Sequence, residues 1–280
     1  MQLLKFCDPF EIETLRQSFM QLLNDIKSQT DLAWSSEKSK KVTAQIYWNL
    51  LGDSKYLNHA NFSKIEASDV ESLFELYDES FFDGNLKRTL RELGQPITFR
   101  LSGKMTRAGG KTTREESWRG KRLVYRRYEI AISTTLLFQT FQNQTKPVIV
   151  TGISCGNRLQ ALQRIMEHEI IHLVEMMVWY HSDCFRKRFK AITNRLFDHT
   201  ESTHQLTTVD ERALTEFGIK VGDVVSFRHE RKIYTGFVNR ITKRATVLVE
   251  HASGELFSDG KRYARFYVPI QSLRPIPRTA

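Results

Sequence analysis

His168-Glu169-Ile170-Ile171-His172 lies inside a run, Asn157 to Tyr180, that contains neither Pro nor Gly. Leu159, Leu162, Ile165, Met166, Leu173 and Met176 recur along it at helical spacing. Cys155-Gly156 precedes the run, and Asn157 is a suitable N-cap. The stretch therefore reads as a helix. With about 3.6 residues per turn, positions i and i+4 share one face. His168 and His172 then present two imidazoles to one point, where they can hold a single zinc ion. Glu169 stands beside them as a group able to take a proton from an attacking water. The alternative is a buried helix on which two His and a Glu occur in this order without chemistry.

A catalytic zinc keeps three protein ligands and one open position. His181 is the candidate third ligand. It follows His172 by nine residues, which is about 900° on a straight helix and so the opposite face. The helix must then end near Trp179 or Tyr180 and the chain must turn back. Ser182 and Asp183 are good N-caps for a second helix, Cys184 to Phe197, with Phe185, Phe189, Ile192 and Leu196 as its apolar stripe. His199, His204 and Glu175 are rival ligands, and His181 as a solvated turn residue is the plain alternative.

Four pieces in order carry a family resemblance. Leu76-Tyr77-Asp78 leads to Phe81-Phe82-Asp83-Gly84-Asn85-Leu86. Lys104-Met105-Thr106-Arg107-Ala108-Gly109-Gly110 is a basic turn with Gly. Tyr128-Glu129-Ile130-Ala131-Ile132-Ser133 is a strand. The last piece is the His168-to-His172 motif, followed by His181-x-x-x-Phe185. Together, from about Asp69 to Phe197, they resemble the SprT-like zinc metalloprotease family (SprT/Spartan type). The chain departs from that pattern in having Ser182 after His181, where the family often has Gly. With Cys7, Cys155 and Cys184 far apart, it also has no Cys-rich zinc ribbon. The resemblance implies a zincin domain with one Zn2+ on His168, His172 and His181, and Glu169 as general base. It further implies protein substrates held on DNA.

The chain has 280 residues, 40% of them apolar, and a net charge of +10. Three scattered Cys fit a reducing, intracellular compartment, cytoplasmic or nuclear according to the type of cell. No apolar run approaches the roughly 20 residues that span a bilayer. Between Arg100 and Arg127 ten Lys and Arg face only Glu115 and Glu116. Trp118, Tyr125 and Tyr128 are interleaved with them. Cations neutralise phosphates and aromatic faces stack on bases, so Arg107, Lys111, Arg114, Trp118, Arg119, Lys121, Arg122, Arg126 and Arg127 are candidate DNA contacts. The alternative is a charged hairpin edge that resists strand addition.

Alternation in Ile97 to Leu101 and in Tyr128 to Ile132 predicts strands of a small antiparallel sheet. In residues 1–66, Ile12, Leu15, Phe19, Leu22 and Ile26 form one helical stripe, and Val42, Ile46, Tyr47 and Leu50 a second. Residues 209–280 read as short strands around Val224, Ile233, Val247, Phe266 and Leu273. They weakly resemble an SH3-like or Tudor-like barrel. Thirteen Lys and Arg stand there against eight Asp and Glu, with Arg240, Lys243 and Arg244 as further candidate nucleic-acid contacts.

The expected protein is α+β. It has an N-terminal helical extension (1–66), an SprT-like metalloprotease domain (67–205) and a C-terminal small β-barrel (209–280). The expected function is zinc-dependent proteolysis of DNA-associated proteins. The alternatives are a nucleic-acid-binding module with a structural or vestigial zinc, and a zinc hydrolase with a non-protein substrate.

Overall fold

The computed structural model describes residues 9–142, 147–242 and 244–276, with side chains from Gln17 onward. Ile12, Leu15, Cys7 and Lys243 lie outside the residues whose side chains are described. The elements of the first part are α1 (Pro9–Asp31), α2 (Ser36–Asp53), α3 (Ala67–Phe82), α4 (Asn85–Glu92), β1 (Ile97–Ser102), β2 (Gly110–Arg119) and β3 (Arg122–Ser133). They continue as α5 (Thr134–Thr140), β4 (Val148–Val150), β5 (Ile153–Cys155), α6 (Arg158–Val178) and α7 (Lys187–Phe197). The chain divides into two compact units, Met1–Leu206 and Thr207–Ala280. Among the described residues no helix is long and apolar enough to cross a membrane.

α6 is the axis of the first unit. The side chain of Asn157, in extended backbone, accepts from the Gln160 N–H at 3.0 Å and starts the helix. Leu159, Leu162, Met166, Ile170, Ile171 and Leu173 are all fully buried, so the helix is covered on more than one face. Each such side chain contributes about 1.5–3 kcal/mol by leaving water. Arg158, buried at the first turn, gives its guanidinium to the carbonyls of Leu137, Asn61, Phe62 and Phe138. That pins the helix start to the chain before α3 and to α5. Ile26 of α1 and Ile46 and Leu50 of α2 join the same core as α3, β3, α6 and α7. The N-terminal helices thus belong to the first unit.

α3 starts with a reciprocal cap between Glu66 and Asp69. It ends where Asp83 and Gly84 take left-handed backbone, φ 53° and 69°. The buried Asp78 carboxylate then accepts the N–H groups of Leu86 and Lys87, capping α4.

The sheet order is β1-β3-β2. β2 pairs antiparallel with β3, but β1 pairs parallel with it, Ile97 opposite Tyr128. The sheet is therefore mixed, not the antiparallel one expected. Residues 103–109 carry the chain past the end of β3 to its far side, which places β2 at a sheet edge. A two-strand hairpin, β4 with β5, turns through Thr151 and Gly152, both at positive φ. The Thr151 N–H donates to the Thr203 carbonyl, and the Thr151 carbonyl accepts from Thr200. The hairpin thereby holds residues 200–205 beside α6.

The second unit opens with α8 (Val209–Phe217), capped reciprocally by Thr208 and Glu211. There follow β6 (Val224–His229), β7 (Lys232–Ile241), β8 (Ala245–Leu256), β9 (Arg262–Val268) and β10 (Arg274–Pro275). All are antiparallel, in the order β10-β6-β7-β8-β9. This corrects the expected barrel: β9 and β10 lie at opposite ends of an open sheet. β10 has only two residues, and Pro275 has no N–H to give a ladder. Ala213 of α8, with Phe217 beside it, joins the same core as Val225, Val238 and Val247.

Candidate metal centre

His168 and His172 project from one face of α6 and pack on the Phe189 ring of α7, with ring centroids 4.8 and 4.6 Å away. Their Nε2 atoms are 3.1 Å apart. Burial, the largest cause, lowers both imidazoles, that of His168 to about 3. For His168 the neighbouring His172, His199 and His204 add to the effect. Both rings are therefore neutral near pH 7, as metal ligands must be.

The third donor of the group is Cys184. Among the described residues, the ligand atoms of His168, His172 and Cys184 all lie within 4.8 Å of one another. Two nitrogens on one tetrahedral zinc sit about 3.3 Å apart, and a nitrogen and a thiolate sulfur about 3.6 Å apart. The donor set thus fits a small divalent metal after a movement of Cys184 on the order of 1 Å.

His181, the ligand expected from the sequence, is exposed and is not part of this group. α6 ends at Val178, and Tyr180 turns the chain at φ 60°. Arg188 donates to the His181 carbonyl. The expected second helix begins at Lys187 rather than Cys184, because the Asp183 carboxylate accepts the Phe185 N–H and holds an open turn there. Phe185 is 72% exposed and contributes nothing to an apolar stripe.

The rival ligands have other roles. His199 is buried against Glu167, Nε2 to carboxylate 2.7 Å, and Glu167 also accepts from the Tyr77 hydroxyl and pairs with Arg164. His204 lies against the cleft, where its Nε2 accepts the Gly109 N–H at 3.1 Å. Glu175 binds Ser182 and Arg188.

Glu169 is 4% exposed. Burial pushes its carboxyl up to about 7, against the lowering effect of the Thr112 hydroxyl. Thr112 Oγ1 lies 2.8 Å from Glu169 Oε2 and 2.9 Å from the Glu169 carbonyl. A buried carboxylate poised near neutrality suits proton transfer. His168 and Glu169 border a cleft of about 310 Å3, lined also by Arg107, Gly109, Gly110 and residues 202–204. Larger cavities of about 650, 680 and 420 Å3 lie along α2, around α3 and α4, and between α7 and residues 199–201. None of these borders His168 or Glu169, whereas the smaller cleft is lined by both, so the smaller cleft is the candidate site.

Gly110 makes room for Glu169. A Cβ there would stand 2.6 Å from both Cγ and Oε1 of Glu169. Gly110→Ala should therefore displace the carboxylate. It should also cost about 1–3 kcal/mol of stability through overpacking. The urea midpoint measured beside that of the parent tests this.

The basic hairpin is less open than its composition suggests. Glu116 pairs with Arg114 and Arg126, and Glu115 with Arg127. Arg114 also donates to the Met176 and Tyr180 carbonyls at the end of α6, a structural task. Arg126 lies over the Tyr180 ring. Arg122 has a partner as well. Arg107, Lys111, Arg119 and Lys121 are exposed and form no salt bridge among the described residues, and Trp118 is 54% exposed. Arg240 and Arg244 are exposed in the second unit.

No family model, no curated protein and no solved structure matches this chain. Sequence reasoning missed Cys184, Thr112, Gly110 and the partners of His172. For Cys184 a signal existed: it falls three residues after His181, in the same turn.

Proposed function

We propose that the first unit is a zinc metallopeptidase of the SprT-like type that acts on proteins held on DNA. The observation that carries this reading is the convergence of His168, His172 and Cys184 beside a buried Glu169. A structural zinc has no use for a carboxylate kept near neutrality next to it.

His168, His172 and Cys184 would hold the metal. When bound, the metal supplies Lewis-acid polarisation of the scissile carbonyl and makes water easier to deprotonate. Glu169 accepts the proton as water attacks and passes it to the leaving amine. Thr112 orients that carboxylate, and Phe189 fixes the planes of both imidazoles. β2 is an edge strand against α6, so its outer edge suits an extended peptide pairing along the cleft. Arg107, Lys111, Arg119 and Lys121, with the Trp118 ring, offer cations and a stacking face for single-stranded DNA.

The test is cleavage of an unstructured protein by purified, zinc-loaded full chain, with and without single-stranded DNA. Cleavage that DNA stimulates is the expected result. Lys111→Glu with Lys121→Glu should weaken DNA binding and reduce the slope of log affinity against log salt by about 1 to 2. No cleavage despite bound zinc and measurable DNA binding would instead favour the binding-module reading.

A further inference from the structure

We infer that Ser182 and Glu175 are positioning residues. They fix the tautomer of His172 and hold the loop that carries the third donor against α6. The inference rests on the metal-site reading above.

Ser182 Oγ lies 2.7 Å from His172 Nδ1 and 2.8 Å from Glu175 Oε2. A hydroxyl has one proton to give, and a carboxylate only accepts. Ser182 therefore donates to Glu175, and its oxygen accepts from His172 Nδ1–H. The lone pair of His172 is then on Nε2, which faces His168 Nε2 at 3.1 Å. Without metal, His168 Nε2–H donates to it; for both Nε2 atoms to hold a metal, the His168 proton would sit on Nδ1 instead. A ligating imidazole commonly donates its other N–H to a carboxylate, a backbone carbonyl or water. Here a serine hydroxyl is inserted between imidazole and carboxylate.

The same carboxylate organises the loop. Glu175 is 1% exposed in its side chain, and its Oε1 accepts from Arg188 Nε at 2.6 Å. Its Oε2 also accepts the Asp183 N–H at 3.2 Å. Arg188 reaches the His181 carbonyl at 2.9 Å and lies over the Trp179 ring. One buried carboxylate on α6 thus gathers Ser182, Asp183 and Arg188. These three bracket Cys184, whose own carbonyl accepts from Ser202. Remove the hydroxyl, and His172 loses its acceptor while the loop loses one of its ties.

The experiment is zinc competition against a chelating dye for the full chain and for Ser182→Ala, Ser182→Thr and Glu175→Gln. The urea midpoints of the metal-free proteins are recorded beside it. Ser182→Ala should bind zinc about 10–100-fold more weakly, with a metal-free midpoint lowered only slightly by the lost loop tie, and Ser182→Thr, which keeps a hydroxyl, should restore affinity. Glu175→Gln should weaken zinc at least as much as Ser182→Ala does. Ser182→Ala binding zinc within about twofold of the parent would overturn the inference and leave the metal site standing. A parent chain that binds no zinc, or His168→Ala binding it as tightly as the parent, would overturn the metal-site reading itself.

Discussion

Glu169→Gln is expected to lower peptide hydrolysis by about 10²–10⁴-fold while zinc stays bound. The amide keeps the size and shape of the carboxyl and can still accept the Thr112 hydroxyl, 2.8 Å away in the parent. It cannot take a proton from water or return one to an amine. Stability should change little. Burial already holds the parent carboxyl up to about 7, so the native pocket does not depend on a full negative charge there. Turnover on an unstructured protein, zinc per chain and thermal midpoint separate the cases. Full activity in Glu169→Gln would show that the proton moves by another route and sink the mechanism. Loss of zinc together with activity would mean that Glu169 supports the donors rather than the reaction.

The parts of this fold that were legible in the sequence are those set by local physics. α6 follows from its period and from Asn157, whose side chain makes the expected capping bond. His168 and His172 meet because helical spacing requires it. What was not legible depends on direction and closure. Alternation marks β1 and β3 as strands but is the same whether they run parallel or antiparallel, and they run parallel. The strands of the second unit were readable, whereas their failure to close turns on a two-residue β10 ending in Pro.

Charge composition overstates the number of unpaired cations for a related reason. Glu115 and Glu116 stand directly opposite Arg127 and Arg126 across the hairpin, so two acids occupy three Arg. A count of charges along the chain carries no register. The start of α7 was misplaced because Phe185 fits a helical stripe by spacing. The Asp183 carboxylate instead ties the Phe185 N–H into a turn, and that turn is what brings Cys184 to the two histidines.

The third ligand is therefore where sequence and geometry part, and the two candidates predict different losses. Cys184→Ala is expected to weaken zinc binding by about 10²–10³-fold. Zinc affinities of about 10–16 kcal/mol spread over four ligands give roughly 2.5–4 kcal/mol for each, and 1.4 kcal/mol is one decade. His181→Ala should change affinity less than about tenfold, because that side chain is exposed and outside the donor group. Cobalt substitution adds an independent readout. A thiolate-to-cobalt charge-transfer band should persist in His181→Ala and vanish in Cys184→Ala. The reverse pattern would return His181 to the metal and leave Cys184 a half-buried thiol. Large losses in both variants would mean four protein ligands and no open position for water or substrate. In that case the zinc would be structural and the peptidase reading would fall with it. Comparing the two variants thus decides the ligand set and, through it, whether this site has room for chemistry.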